Sequence, residues 1–202
     1  MGEARPSGET IQIRFLLDPV CPWTFRAALW IREVRLLRPV SVEWGLLSLE
    51  YINRGQPDHP MKERFSQNRW AMRLLAKAAM EGGNEAVEGL YFELAEACHE
   101  RGERLDEEST LLRAATRSGS PVEWVPQTRE APGLDGALWA SYAAHCATGA
   151  FGVPTLYPEG RGIPYYGPVI DRVPTGTQAA DLWDHVLGLT RHDCFFELKR
   201  PR

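Results

Sequence analysis

Asp18-Pro19-Val20-Cys21-Pro22-Trp23-Thr24-Phe25 follows the apolar run Ile11, Ile13, Phe15, Leu16, Leu17 and leads into a helical pattern. A strand therefore delivers one cysteine to the first turn of a helix. Pro22 suits position N1, where its fixed φ fits the helix and its missing N–H would have had no intrahelical partner. Cys21 is then at or beside the N-cap. There the free N–H groups and the positive end of the helix dipole favour an anion, so a thiol pKa below the free value of roughly 8.5 is expected. The structural alternative is a small buried residue at a strand-to-helix corner.

Outward from this stretch the pattern is that of a βαβ unit. Strand one spans about Ile11 to Leu17 and helix one about Pro22 to Leu37, with Ala27, Trp30, Ile31, Val34 and Leu37 at helical spacing and Pro39 ending it. Val40, Val42, Trp44 and Leu46 alternate with Ser41, Glu43 and Gly45 as in a strand. Strand, helix, strand at this length implies a parallel pair with a right-handed crossover. Residues 47–60 read as a loop. A long helical section follows: one helix from Met61 to Glu81, broken by Gly82-Gly83, a second capped by Asn84 and running to about Arg101, and a third from Asp106 to Arg117. Residues 120–132 read as irregular, before a fourth helix from Leu134 to Ala147. The chain closes with a strand at Thr155-Leu156-Tyr157, a turn, an antiparallel partner from Ile163 to Tyr166, and a last helix from about Thr175.

Asp-Pro-Val-Cys-Pro-Trp-Thr, followed much later by Gly152-Val153-Pro154-Thr155, resembles the DsbA branch of the thioredoxin superfamily. Within that branch, Tyr166-Gly167-Pro168-Val169-Ile170, Leu182-Trp183-Asp184 and Phe195-Phe196-Glu197-Leu198-Lys199-Arg200 are similar to the mycothiol-dependent nitroreductase and disulfide-reductase family. The resemblance runs from about Ile11 to the C-terminus. It implies an α/β thioredoxin fold of the DsbA-like kind, with residues 10–60 and 149–202 as the thioredoxin-like part and 61–148 as an inserted helical domain. One position departs from the pattern: Thr24 stands where the family usually carries a second cysteine. Its hydroxyl can hydrogen-bond a thiolate but cannot form a disulfide, so closure within the motif is excluded.

The same resemblance assigns the candidate site. Cys21 is the nucleophile, with Thr24 beside it. Pro22 and Trp23 shape the cleft, Trp23 either as an aromatic wall for a flat substrate or packed under the insertion. Asn53 and His99 fall at pocket positions, and His99 would supply a positive charge or a proton. Pro154 is expected to be cis and to lie against the cysteine, with the Val153 backbone turned to the site to pair with a peptide or a small thiol. Tyr91 and Phe92 either line the same cleft or are core.

In the expected chemistry, Cys21 attacks a disulfide or an electrophilic small molecule, and a low-molecular-weight thiol, mycothiol or glutathione, resolves the intermediate. Two alternatives remain open: a transferase or isomerase of the kappa glutathione-transferase kind that activates a bound thiol, for which Thr24 speaks, and a catalytically silent binding protein.

Composition bounds the partners. At 202 residues, with 44% hydrophobic and 25% charged, the chain is long enough for one sizeable core. A formal net charge of -4 gives no electrostatic reason to expect nucleic acid. The polar stretch Met1 to Thr10 carries no secretory h-region, and no apolar run is long enough to cross a membrane, so a cytoplasmic protein is expected. Cys21, Cys98, Cys146 and Cys194 are too widely spaced for a metal knuckle, and the histidines lack ligand spacing, so no metal is expected. Cys98 falls on the apolar stripe Val87, Leu90, Tyr91, Leu94. Cys146 and Cys194 read as core or surface residues, with a remote resolving role as the alternative. Exposed aromatic surface around the insertion would support a homodimer.

Overall fold

The computed structural model describes residues 10–158 and 162–201. The turn expected at 158–162 and the polar N-terminal stretch fall largely outside them. The sheet has the order β2-β1-β3-β4. β1 (Ile11–Leu17) pairs parallel with β2 (Val40–Leu46), as the strand-helix-strand pattern requires, and antiparallel with β3 (Thr155–Pro158), which pairs antiparallel with β4 (Tyr165–Tyr166). The expected second strand at 163–166 is therefore shortened to two residues.

α1 (Pro22–Arg35) connects β1 to β2, and α9 (Gly176–Leu189) packs against it. Between β2 and β3 come α2 (Leu49–Ile52), α3 (Lys62–Gln67), α4 (Arg69–Glu81), α5 (Gly83–His99), α6 (Glu108–Ser118), α7 (Trp124–Thr128) and α8 (Pro132–Ala147). Two of these, α2 and α7, are short turns of helix in stretches read from sequence as loop; neither is long enough to show a helical period. The expected single helix over 61–81 is two, divided at Asn68. That residue's side-chain amide donates to Asp18 Oδ1 at 2.7 Å, and this explains its burial between two amphipathic segments.

β1 is covered on both faces, which is why Phe15, Leu16 and Leu17 are all fully buried rather than alternating. Phe15 and Leu17 belong to the main core with Trp30, Trp44, Tyr91 and Trp183. Trp44 meets Phe15 edge-on and stacks on Tyr91, while Trp30 donates its indole N–H to the Ala179 carbonyl, tying α1 to α9. Leu16 faces the other way, into a smaller cluster with Cys21, Leu47, Ala150, Val153 and Tyr157. α8 lies over that side: Ser141 Oγ donates to the Leu46 carbonyl, and His145 Nδ1 lies 3.3 Å from the Tyr157 hydroxyl. A Cβ at Gly45 would come within 2.6 Å of Leu16 Cδ2, so a larger residue here must displace that buried side chain.

Asn84, expected to cap a helix, does something else. The cap position belongs to Gly82, and the Asn84 side chain reaches β2, where Oδ1 accepts from the Trp44 N–H and Nδ2 donates to the Val42 carbonyl, both at 2.8 Å.

Candidate active site

Cys21 is the N-cap residue of α1, in extended conformation, with Pro22 in the first turn as expected. The residue is nearly buried, at 5% exposure, and its sulfur lies 3.6 Å from the Val153 carbonyl oxygen, toward which the thiol S–H points. The two stretches expected to form the site, 132 residues apart, therefore meet. The Val153–Pro154 peptide is cis, as expected. Gly167–Pro168 is also cis, and the Gly167 N–H donates to the Pro154 carbonyl.

The electrostatics correct the sequence expectation. The Thr24 hydroxyl and the backbone N–H groups of Thr24 and Trp23 all lower the thiol pKa, as the helix N-terminus predicts, but burial pushes it up by more, and the Asp18 charge adds to the rise. Burial thus favours the thiol over the thiolate. The helix-end argument failed because it presumed solvent access: taking the sulfur out of water penalises the thiolate more than the donors stabilise it. The Thr24 hydroxyl is fully buried and makes no hydrogen bond of good geometry to any described residue, which leaves the sulfur as the group it acts on.

Asp18 is the residue whose role the sequence did not disclose. Its buried carboxylate accepts from the Val20 N–H at 3.0 Å and the Asn68 amide through Oδ1, and from the Leu49 N–H at 2.8 Å through Oδ2. It joins the cysteine loop to the start of α2 and to the residue that caps α4. Burial drives its pKa from 3.8 to about 6 against the pull of those three donors. Tyr91, also fully buried, has a hydroxyl without a hydrogen-bond partner among the described residues. Burial first, then the charges of Cys21 and Asp18, push its pKa well up. Tyr91 and Phe92 are both core, packed around Trp44, with Tyr91 close beneath the site.

The remaining candidates separate. Trp23 packs against the Cys21 cluster as a partly buried wall, with the Arg26 guanidinium 4.9 Å from its ring centre. Asn53 is the C-cap of α2, and its amide donates to the Leu49 carbonyl at 2.8 Å, so it holds its own helix rather than reaching the sulfur. His99 Nε2 lies 2.9 Å from the Pro19 carbonyl, beside the cysteine loop, and its ring stacks on Phe25. Burial first, then the charges of Arg64 and Arg26, lower its pKa. The imidazole holds the cysteine loop, and burial together with the two guanidinium charges works against a positive charge there, while the Pro19 carbonyl works for one. Cys98 is half-buried with Arg64 Nη2 at 3.3 Å from its sulfur; Cys146 is half-buried and Cys194 exposed, and all four cysteines are free thiols.

Tyr142 on α8 was not singled out from sequence, yet it packs on the Cys21 cluster with Leu49 and Ile52. Tyr51, Trp139 and Tyr142 form an aromatic group with centroid separations of 5.0 to 6.0 Å. The spacing of Trp139 and Tyr142, three apart on one helix, was the available signal.

The model of the Rv2466c-like family, described as mycothiol-dependent nitroreductase Rv2466c, matches residues 20–200, which includes Cys21, Thr24, His99, Val153 and Pro154 but not Leu16, Asp18 or Pro19. The chain belongs to the Rv2466c-like family. The uncharacterized protein Rv2286c of Mycobacterium tuberculosis is 26% identical over 191 residues, covering 94% of this chain and 82% of that one. Among solved structures, the probable DsbA oxidoreductase SCO1869 of Streptomyces coelicolor superposes with a TM-score of 0.60 at 16% identity, covering 95% of this chain and 94% of that one. The cytosolic disulfide reductase DsbM of Pseudomonas aeruginosa, in its structure with GSH, gives 0.57 at 17% identity, covering 88% and 100%. The fold of this Rv2466c-like protein is that of the DsbA-like thioredoxin-fold oxidoreductases.

Proposed function

We propose that this protein is a thiol oxidoreductase working through one cysteine and a low-molecular-weight thiol, mycothiol or glutathione. The observation that carries the reading is the juxtaposition of Cys21 Sγ with the Val153 carbonyl at 3.6 Å, at the N-terminus of α1, with Thr24 in place of a second cysteine. The Cys21 thiolate attacks one sulfur of a disulfide, forming a mixed disulfide and expelling the other half as its thiolate. An external thiolate then attacks the outer sulfur, leaving as the new disulfide and returning Cys21. The new disulfide joins the small thiol to one half of the substrate, and a second small thiolate attacking it releases that half, so two small thiols become their own disulfide and together give two electrons to the substrate. The raised pKa makes the thiolate scarce but strongly nucleophilic. Electrophilic small molecules are the second class of acceptor. Residues 61–148 serve as the insertion that covers the site. The four free thiols accord with a reducing, cytoplasmic setting.

The test is trapping. Incubation with an oxidised small thiol should add one thiol adduct, located on Cys21 by mass spectrometry, and Cys21→Ser should abolish both adduct and turnover. The buried Thr24 hydroxyl and the raised thiol pKa favour a second reading, activation of a bound thiol in the manner of kappa-class transferases. Sustained turnover by Cys21→Ser would select it. Ligand binding without turnover, unaffected by Cys21→Ala, would select a silent binding protein.

A further inference from the structure

Most arginines among the described residues are matched to carboxylates, for example Arg35 to Glu88, Arg38 to Asp184, Arg69 to Glu50 and Arg73 to Asp135. Two that are not sit on rings touching the Cys21 cluster. Arg26 lies over Trp23, and Arg54 lies 4.2 Å from the ring centre of Trp139 and 5.2 Å from that of Tyr142. Trp23 and Tyr142 both pack directly on that cluster. The acids on α2 and α8, the elements beside Arg54 and Tyr142, are already engaged: Glu50 by Arg69, and Asp135 by Arg73 at 2.5 Å. Arg26 is also close enough to His99 for its charge to lower that pKa. In a chain of net charge -4, the surroundings of the reactive sulfur thus hold guanidinium groups supported by aromatic faces and without a described carboxylate partner.

We propose that the acceptor of this thiol site is an anionic, flat molecule: a disulfide or electrophile carrying a carboxylate or sulfonate on an apolar body. The inference rests on the oxidoreductase reading and adds a substrate class to it. Guanidinium fixed over an aromatic ring keeps its N–H groups free at the edge to meet a carboxylate, while the uncovered part of the ring takes the apolar body. Trp23 and Tyr142, each with a guanidinium over its ring, border that body with the rest of their surface.

Two aromatic disulfides test it: dithiobis(nitrobenzoate), which is anionic, and dithiodipyridine, which is neutral. Their second-order rate constants with Cys21 are compared in a chain whose Cys98, Cys146 and Cys194 are replaced by serine. Arg26→Gln and Arg54→Gln should each lower the ratio of anionic to neutral rate constants about three- to fivefold, the range of a partly solvated charge pair. Arg54→Lys should retain most of the ratio, and high salt should erase the preference. Arg32→Gln, which removes a guanidinium stacked on Phe92 outside the cluster, should leave the ratio unchanged. An unchanged ratio in both Gln variants, with Cys21 still modified by both probes, overturns the anionic acceptor alone. Failure of Cys21 to react with either probe overturns the oxidoreductase reading and this inference with it.

Discussion

Replacing Asp18 by asparagine tests how the buried carboxylate is coupled to folding and to the sulfur. An acid whose pKa is higher in the native state than in the unfolded chain binds its proton more tightly when folded. Its contribution is therefore fully present below the unfolded pKa and is lost as pH rises through the folded one. For Asp18 that window runs from 3.8 to about 6. The shift corresponds to about 3 kcal/mol, of which about 2 kcal/mol falls between pH 4 and 8. The amide in the Asp18→Asn variant cannot ionise, so this slope disappears. The substitution also turns one acceptor into a donor, leaving either the Leu49 N–H or the Val20 and Asn68 donors mispaired, at a pH-independent cost of about 1–3 kcal/mol. Urea unfolding of both proteins across that pH range should show wild-type stability falling relative to the variant by about 2 kcal/mol as pH rises. Loss of the nearby negative charge should also lower the apparent pKa of Cys21 alkylation. Parallel stability curves would refute the buried, shifted carboxylate. An unmoved alkylation pKa would refute its coupling to the sulfur.

With the other three cysteines substituted, Cys21 alkylation should rise with pH through an apparent pKa above roughly 8.5; a value at or below about 7, the range of thiols activated at helix N-termini, would show that the helix terminus outweighs burial. Thr24→Cys restores the dithiol pattern within the first turn of α1, and oxidation should then close a disulfide between positions 21 and 24, read as protection of both thiols from alkylation. Gly45→Ala forces a methyl against the buried Leu16 side chain and should destabilise the fold by about 1–3 kcal/mol in denaturant unfolding; an unchanged midpoint would show that Leu16 yields.

The sheet and the long helices were legible because Val40 to Leu46 and Ala27 to Val34 keep a clean period imposed by one buried face. Cys21 and Pro22 were legible as a cysteine and a proline at a helix start, whereas the pairing of Val153 and Pro154 with them came from the family resemblance, since a proline opening a strand has an ordinary local explanation. What escaped depended on contacts between distant segments. Asn68 and Asn84 look like ordinary polar helix residues until Asp18 and the edge of β2 are brought against them. The sign of the Cys21 pKa shift escaped for a similar reason: sequence locates the helix end, whereas the depth of burial depends on what Leu16, Leu47, Ala150 and Tyr157 build around it. Tyr142 belongs to a segment with no strong motif of its own, and only the packing of α8 brings it to the Cys21 cluster and beneath Arg54.

Asn84 bears on how the protein behaves in a crowded solution. β2 borders the sheet, and a bare outer strand offers a row of N–H and C=O groups on which another chain can grow. One side-chain amide occupies the Trp44 N–H and the Val42 carbonyl as a neighbouring strand would, and it comes from α5, so this margin is closed from within the same chain. The opposite margin, β4, is only two residues long. Recruitment of copies through the sheet is thereby hindered at one border by a single asparagine and at the other by brevity, and loss of Asn84 would reopen two backbone groups of β2 without touching the cluster around Cys21.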